Sequence, residues 1–374
     1  MKKKILFTTY DLSIGGVESC LVNLVNNLDY TKYDVTILLQ DKKGDLLNNV
    51  KNEVHVEDYK LSRIKFALLR KAINMFKIMY IKLKYYRKFD FSVCYGTGYK
   101  VSAKVALLAS TNNAAYMHTN IIKFISNSNQ VKGNMSIEKK VDIFLKRCKF
   151  RKFKKNIFIS KSAIDAYLTL YPMDKEKIVL SHNYIDYNKI LKSSEVKVDD
   201  MYDKNCITFI NVSRHTEYDK RLSRIICACD KLKKDGYNFK VIMIGDGADH
   251  KLYQDMVDKK GLKENVIFYG KKANPFPYIR TANAFVMSSD FEGFPTTFGE
   301  AMTLNVPIIT TNVSDANEII KDKYGIVVDN NDEAIYYGMK LFLDKGFKIK
   351  NKFNPKKYNE ESINKLYQVI EGEL

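Results

Sequence analysis

The chain has 374 residues, 45% of them hydrophobic and 28% charged, with only six prolines and a formal net charge of +19. That length favours two domains, and the composition excludes disordered, collagen-like and low-complexity chains. Charge is unevenly spread: residues 1–200 carry 36 Lys and Arg against 19 Asp and Glu, and the remainder 26 against 24. An anionic partner is therefore expected for the first half, whether nucleic acid, acidic polymer or the inner leaflet of a membrane.

Short runs rich in Ile, Val and Phe alternate with helical patterns from the start: KILFTT (4–9), VESCLVNLVNNL (17–28), YDVTILL (33–39). That rhythm is the signature of βαβ units around a parallel sheet. Between the first strand and first helix sit Gly15 and Gly16, a glycine pair placed too late after the strand for a GxGxxG dinucleotide fingerprint. Residues 60–88 read as one long amphipathic helix. Leu61, Ile64, Leu68, Ala72, Met75, Met79, Leu83 and Tyr86 recur at steps of three and four, with Phe66, Leu69, Ile73, Phe76 and Tyr80 beside them. Arg63, Arg70, Lys71, Lys77, Lys82, Lys84 and Lys88 fall mostly opposite. Two readings fit: a core helix with a solvated basic face, or a helix seated in a membrane surface. The stretch Val105–Ile122 is uncharged but too polar to span a membrane, and it holds His118. A second basic segment, 139–156, has nine cations and one acid.

The polar stretch 188–205 interrupts the pattern and reads as a linker. It separates a first domain, 1–187, from a second, 206–356, whose strands are CITFINVS (206–213), KVIMIGDG (240–247), NVIFYG (265–270), NAFVMSS (283–289) and VPIITT (306–311). The final segment reads as a helix, and residues 357–374 are expected to complete the first domain. Six scattered cysteines (Cys20, Cys94, Cys148, Cys206, Cys227, Cys229), without CxxC or metal-ligand spacing, and an opening KKKILFTTYD point to a reducing, cytoplasmic setting.

Two stretches carry the chemistry. In residues 288–312 a strand ends near Ser289, a loop brings Glu292, Gly293, Phe294 and Pro295, and a helix starts around Thr296 with Glu300 one turn in. Such a loop faces the carboxyl end of the sheet, where open α/β folds bind ligands, and the new helix offers N–H groups to a phosphate. In residues 211–232 a strand delivers Arg214, and Lys220 follows six residues later, so both cations can reach one anion.

Taken in order, VSRHTEYDKRL, VIMIGDG, VIFYG with Lys271, the pair Glu292 and Glu300, and SDANEII to YGIVVD resemble the retaining glycosyltransferases of family 4, most strongly over 209–328. The first half resembles them through IGGVES, YMHTN and HNYID. The resemblance implies a GT-B fold, with two Rossmann-like doubly wound domains facing a central cleft. It implies that Arg214 and Lys220 hold the diphosphate of a nucleotide sugar, a UDP-sugar being favoured, and that Glu300 binds the ribose. Glu292 with Gly293, Phe294 and Pro295 would hold the sugar, Thr296 would lie near the phosphates, and Gly245 and Lys271 would line the donor site. Gly15 and Gly16 would leave room for the diphosphate or acceptor, and His118 would touch the donor sugar or acceptor. Arg221 stands where the family has a glycine, and Tyr184 where it has the glycine of an Asn-Gly pair. No Asp-x-Asp triplet occurs, so no metal or cofactor is expected and cationic side chains take its place. The implied acceptor is a glycan, a lipid-linked sugar or a teichoic-acid-like polymer. The implied location is the inner face of the cell membrane, reached through segments 60–88 and 139–156, with no nucleic acid. Competing readings are a nucleotide-sugar epimerase of the same fold and a non-enzymatic basic module that binds nucleic acid or membrane.

Overall fold

The computed structural model describes residues 1–96, 98–127, 133–198 and 206–374. They divide into two compact units, Met1–Tyr184 together with Asn359–Leu374, and Ile185–Tyr358.

The first unit runs β1 (Lys3–Thr9), α1 (Gly16–Val25), β2 (Tyr33–Leu39), β3 (Val54–Asp58), α2 (Ala67–Tyr85), β4 (Phe91–Cys94), α3 (Lys100–Ala109), β5 (Asn113–Met117), α4 (Ile121–Asn127), α5 (Ile137–Arg147), β6 (Lys155–Phe158), α6 (Lys161–Leu170) and β7 (Ile178–Leu180). The strands form one parallel sheet ordered β3-β2-β1-β4-β5-β6-β7. The strands are short and apolar because helices cover both faces: Ile5, Leu6 and Phe7 are fully buried, as are Val35, Ile37 and Leu38. The order reverses between β1 and β4, the switch point at whose strand carboxyl ends open α/β sheets bind ligands.

The second unit runs α7 (Tyr187–Ser193), β8 (Ile207–Val212), α8 (Leu222–Lys234), β9 (Phe239–Ile244), α9 (His250–Lys259), β10 (Val266–Gly270), α10 (Phe276–Thr281), β11 (Ala284–Met287), α11 (Thr296–Thr303), β12 (Ile308–Thr311), α12 (Ala316–Ile319), β13 (Gly325–Val328) and α13 (Ala334–Lys345). Its parallel sheet is ordered β10-β9-β8-β11-β12-β13, with the reversal between β8 and β11. One core, with Phe209, Val241, Val286 and Met339, lies on one face, and another, with Ile210, Phe285, Phe298 and Ile308, on the other. Both units are thus doubly wound α/β layers. The last helix, α14 (Pro355–Glu371), starts in the second unit and ends in the first. There Tyr367 stacks on Tyr33 with ring centroids 5.3 Å apart, and Asn112 Nδ2 donates to Ile370 O at 3.1 Å.

Three expectations need adjustment. Residues 188–193, read as linker, lie in α7, where Asn274 Nδ2 donates to Ser193 O at 2.8 Å; residues 199–205 of that stretch lie outside the described residues. The segment 139–156 is not one basic element. It comprises most of α5, a single 3-10 turn at Phe150–Lys152 and the start of β6. The helix expected over 60–88 spans only Ala67–Tyr85, because Asn74 Oδ1 accepts from Ser62 N at 2.6 Å and holds the chain before Phe66 in an irregular path. Nor is its apolar stripe a core face. Only Ile81 and Tyr85 of α2 are buried, while Leu68, Met75, Phe76, Tyr80 and Leu83 are exposed.

Candidate active site

In the second unit the two strands flanking the reversal, β8 and β11, each hand the chain to a loop that carries charge. The loop after β8 is pinned first. Asp219, buried, accepts from the Thr216 hydroxyl at Oδ1 and from Arg214 Nη2 at 2.9 Å on Oδ2. Lys220 N then donates to Thr216 O at 3.0 Å, closing a turn. The loop after β11 docks onto it: Asp290 N donates to Asp219 O at 2.8 Å, and Ser288 Oγ donates to the carbonyls of Lys220 and Arg221 at 3.0 and 2.9 Å. These hydrogen bonds tie the two loops to each other, although Arg221 Nε is buried without a partner among the described residues.

The result is a charged cluster at the switch point. Lys220 Nζ lies 2.5 Å from Glu292 Oε1, with the side chains only 19% and 13% exposed, and the same oxygen accepts from Ser289 Oγ at 2.7 Å. A hydrogen-bonded, half-desolvated pair of this kind fixes both side chains more firmly than a surface ion pair would. Immediately beyond it Phe294 packs into the core against Phe298, with centroids 6.2 Å apart, and Pro295 stands at the N-cap position of α11 without a capping side-chain hydrogen bond. The Gly293 carbonyl is held by Ser314 Oγ at 2.5 Å. Thr296 opens α11, and Glu300 lies one turn in. Burial pushes the Glu300 carboxyl up to about 7, the Thr296 hydroxyl pulling the other way. The N-terminus of α11 favours an anion, while the Lys220 ammonium and the Arg214 guanidinium beside it are paired with Glu292 and Asp219.

Arg221 adopts the left-handed conformation, φ 50° and ψ 46°. The backbone thus keeps the shape that a glycine would take, and the side chain reaches Asp332 at 2.8 Å and Glu217 at 3.6 Å. At Gly245, φ 140°, a Cβ would collide with the Ser213 carbonyl, so glycine is required where the β8 and β9 loops touch. Lys271 is largely exposed and pairs at 3.7 Å with Asp246. Arg214 is likewise mostly exposed, held by Asp219 and not by Glu292.

Several residues that support this site went unremarked in the sequence. Ser289 shares Glu292 with Lys220. Arg224, 5% exposed, ties the loops together through Ser288 O at 3.2 Å, Asn330 Oδ1 at 2.8 Å and Asp332 Oδ1 at 2.9 Å. His215, fully buried, meets His250 with 2.7 Å between Nδ1 atoms, and burial first, then the neighbouring imidazole, lowers it to about 4. Being next to Arg214 was the only signal for His215, and nothing local marked Arg224.

In the first unit the corresponding loops carry rings and few charges. Tyr10, just after β1, stacks on Tyr99 at 5.1 Å, and Tyr95, just after β4, lies 4.6 Å from the His118 ring. His118 follows the last residue of β5 and stacks on Tyr116 at 5.4 Å. His118 Nε2 lies 2.9 Å from the Tyr95 carbonyl, which can only accept, so Nε2 holds the hydrogen and Nδ1 is a bare acceptor. Nδ1 is buried without a hydrogen-bond partner among the described residues. Burial lowers His118 to about 4 against the pull of that carbonyl, so the ring is neutral near pH 7. At Gly15 the backbone is extended and a Cβ would meet only the mobile end of the Glu18 side chain, so neither strain nor packing demands glycine there; burial raises the Glu18 carboxyl above its ordinary value. At Gly16 a Cβ would meet nothing within 4 Å, so packing does not demand glycine.

Residues 200–360 match the family described as Glycosyl transferases group 1. An uncharacterized glycosyltransferase of Methanocaldococcus jannaschii is 31% identical over 177 residues, 46% of this chain and 43% of that protein. The lipopolysaccharide 1,6-galactosyltransferase of Escherichia coli is 30% identical over 120 residues, 30% of this chain and 33% of that protein. The chain therefore spans less than half the length of these curated relatives. Over the whole fold, Anabaena HepE in complex with UDP superposes with a TM-score of 0.75 at 15% identity, covering 98% of this chain and all of that one. The architecture is the GT-B fold, and the second unit carries the glycosyltransferase-family match. Among the described residues no helix is long and apolar enough to cross a membrane.

Proposed function

We propose that the chain is a retaining glycosyltransferase that moves a sugar from a UDP-sugar to a glycan, lipid-linked or teichoic-acid-like acceptor in cell-surface polysaccharide synthesis. The observation that carries this reading is the Lys220–Glu292–Ser289 cluster beside the N-terminus of α11, at the switch point of the second sheet. Relatives named for lipopolysaccharide and capsular polysaccharide synthesis support the process, and HepE structures with UDP and UDP-glucose support the donor.

In this reading the pyrophosphate is held by Lys220, Arg214 and the first amides of α11, and Glu300 accepts from the ribose hydroxyls. Gly245 and Lys271 line the nucleotide end; Glu292 and the loop Gly293–Phe294–Pro295 hold the sugar, with Thr296 at the phosphates. As the bond from the anomeric carbon to the phosphate oxygen breaks, negative charge grows on the diphosphate, and fixed cations and helix amides lower that barrier. The acceptor oxygen bonds to the anomeric carbon on the face the phosphate leaves, and its proton passes to the departing phosphate oxygen. That front-face course is supported by Glu292 being engaged by both Lys220 and Ser289, which leaves it poorly placed as a nucleophile. His118, neutral with Nδ1 bare, accepts a hydrogen bond from a sugar hydroxyl, and Gly15 and Gly16 leave room beside it. No resident metal is invoked. The enzyme works at the inner face of the cell membrane, with the basic stretches 60–88 and 139–156 toward the anionic surface and no nucleic-acid partner.

The deciding experiment is thermal stabilisation of the full chain by UDP and a panel of nucleotide sugars, followed by NMR of the product's anomeric configuration. Stabilisation by UDP but not by other nucleoside diphosphates, turnover only with acceptor, insensitivity to chelator and an unchanged anomeric configuration are expected. Conversion of the nucleotide sugar without acceptor would replace the reading with an epimerase.

A further inference from the structure

The orientation of α2 is opposite to that of an ordinary surface helix. Its inward side is narrow: Ile81 and Tyr85 are buried, Ile78 is half-buried, and Asn74 is tied to Ser62. At about 100° per residue these four positions fall within an arc of roughly 60°. Directly outward, Leu68, Leu69, Met75, Phe76, Met79, Tyr80 and Leu83 cover an arc of about 140°; Leu68 and Leu83 are 73% and 71% exposed. Cations separate the two arcs along both edges, with Lys71 and Lys82 on one side and Arg70, Lys77 and Lys84 on the other. A groove of about 510 Å³ follows the helix, lined by Arg70, Lys71 and Lys82 together with Met75, Ile78 and Met79. An outward apolar face this long calls for a covering surface.

Charge says which. Between Asp58 and Asp90 the sequence has ten cations and no acid. A second copy laid face to face would set two cationic edges against two more, with Glu57, already paired with Lys84 at 2.5 Å, as the acid on them. A planar anionic surface with an apolar interior matches both features, since the apolar arc can enter the acyl boundary while the lysines on both edges extend to phosphates. Tyr80, Phe66 and Tyr86, also exposed, suit the headgroup level. The segment 139–156 lacks such a face. Val141, Phe144 and Leu145 of α5 are buried in the core, Lys146 pairs with Asp142, and Arg151 pairs with Asp174.

We infer that α2 is a membrane-seating helix that lies in the plane of an anionic bilayer, inserting the Leu68–Leu83 face and gripping lipid phosphates along both cationic edges. This rests on the membrane partner proposed above but not on the donor site, so it can stand or fall while UDP binding is unaffected.

The test uses the full chain and sedimentation with vesicles of phosphatidylcholine, alone or mixed with phosphatidylglycerol. The parent protein sediments with mixed vesicles, less at high salt, and little with phosphatidylcholine alone. The combined Leu68→Glu, Met79→Glu and Leu83→Glu variant loses more than about tenfold in partitioning, with its melting temperature and its UDP response unchanged because all three side chains are exposed. The combined Lys71→Gln, Lys77→Gln and Lys82→Gln variant binds several-fold less and loses its salt dependence. Since the chain has no tryptophan, Leu83→Trp gives a single emission that shifts blue on mixed vesicles and is quenched by brominated acyl chains. Three results would overturn the inference: no sedimentation of the parent, undiminished sedimentation of the triple glutamate variant, or a dimer by light scattering that this variant disperses while vesicles bind neither protein.

Discussion

The two sheets share one topology and differ in what they place at its reversal. In the second unit the loops after β8 and β11 bring Lys220, Glu292 and Arg214 to the strand ends and lock them through Asp219, Ser288 and Arg224. In the first unit the loops after β1, β4 and β5 bring Tyr10, Tyr95, Tyr99 and a neutral His118. A charged seat suits a diphosphate, and a ring-lined one suits sugar faces and hydroxyls. The fold supplies the place, and loop chemistry sets what each place can attract.

The largest expected effect comes from breaking the charged seat. In the proposed reaction Lys220→Ala would take a fixed cation from the departing pyrophosphate and free Glu292, so kcat/KM should fall by about 10²–10³, while circular dichroism shows the fold retained. A loss below tenfold in a folded protein would remove the cluster from the chemistry. On the other side of the comparison, His118→Ala should lower kcat by about 10–10² while leaving the UDP-induced rise in melting temperature intact. Equal losses in turnover and UDP response would erase the division between the units. This histidine also predicts a stability profile. Its value in the fold, about 4, lies below the ordinary 6.5, so the unfolded chain binds the proton first. Stability from keeping the ring neutral is full above about pH 6.5 and is lost as pH falls toward 4; His118→Phe should flatten that part of the urea-midpoint curve.

Much of this arrangement could be read from the residues alone, for physical reasons that also mark the limits. Parallel strands covered on both faces appear as uninterrupted apolar runs, so YDVTILL coincides with β2 and NVIFYG nearly with β10. Loop chemistry concentrated in one stretch, SDFEGFPTTFGE, announced the turn into α11 at Thr296. What stayed hidden was contact between distant residues. Arg224 meets Asn330 and Asp332 only because α8 packs beside α13, whose leading loop carries them, and nothing within five residues of Arg224 says so. Periodicity showed that α2 has an apolar stripe but not its direction, because a helix that is apolar on two sides satisfies the same spacing. The left-handed backbone at Arg221 has no signal in the arginine itself, and only the glycine that the resembled family has at this place points to it.

A smaller effect tests the nucleotide end of the seat. Glu300 sits at about 7 in the unliganded fold because it is buried, and ribose hydroxyls donate best to the ionised form. Binding should therefore strengthen as pH rises: UDP affinity by calorimetry increases up to about tenfold between roughly pH 6 and 8 and then levels off. In Glu300→Gln the slope disappears and affinity stays at its low-pH level. The unliganded protein should show the reverse trend, since a carboxyl raised from 4.5 to about 7 costs stability as pH climbs through that window. Affinity independent of pH in the parent would mean that Glu300 does not meet the ribose.

The smallest effect, and the finest probe of the charged seat, is Arg221→Gly. The left-handed conformation costs an arginine about 1–2 kcal/mol, and glycine removes that strain but adds freedom to the unfolded chain worth about 0.4–1 kcal/mol. The lost side chain also gives up its pairs with Asp332 and Glu217, on a guanidinium one-third exposed, each contributing about 0.2–1 kcal/mol. These terms oppose one another, so the midpoint of denaturation should move by less than about 1 kcal/mol, with UDP affinity unchanged because the backbone shape that presents Lys220 is preserved. Arg221→Val is the counterpart: a β-branched residue resists positive φ, so the turn opens, Lys220 moves off Glu292, and UDP affinity falls although no charged group of the seat itself has been altered.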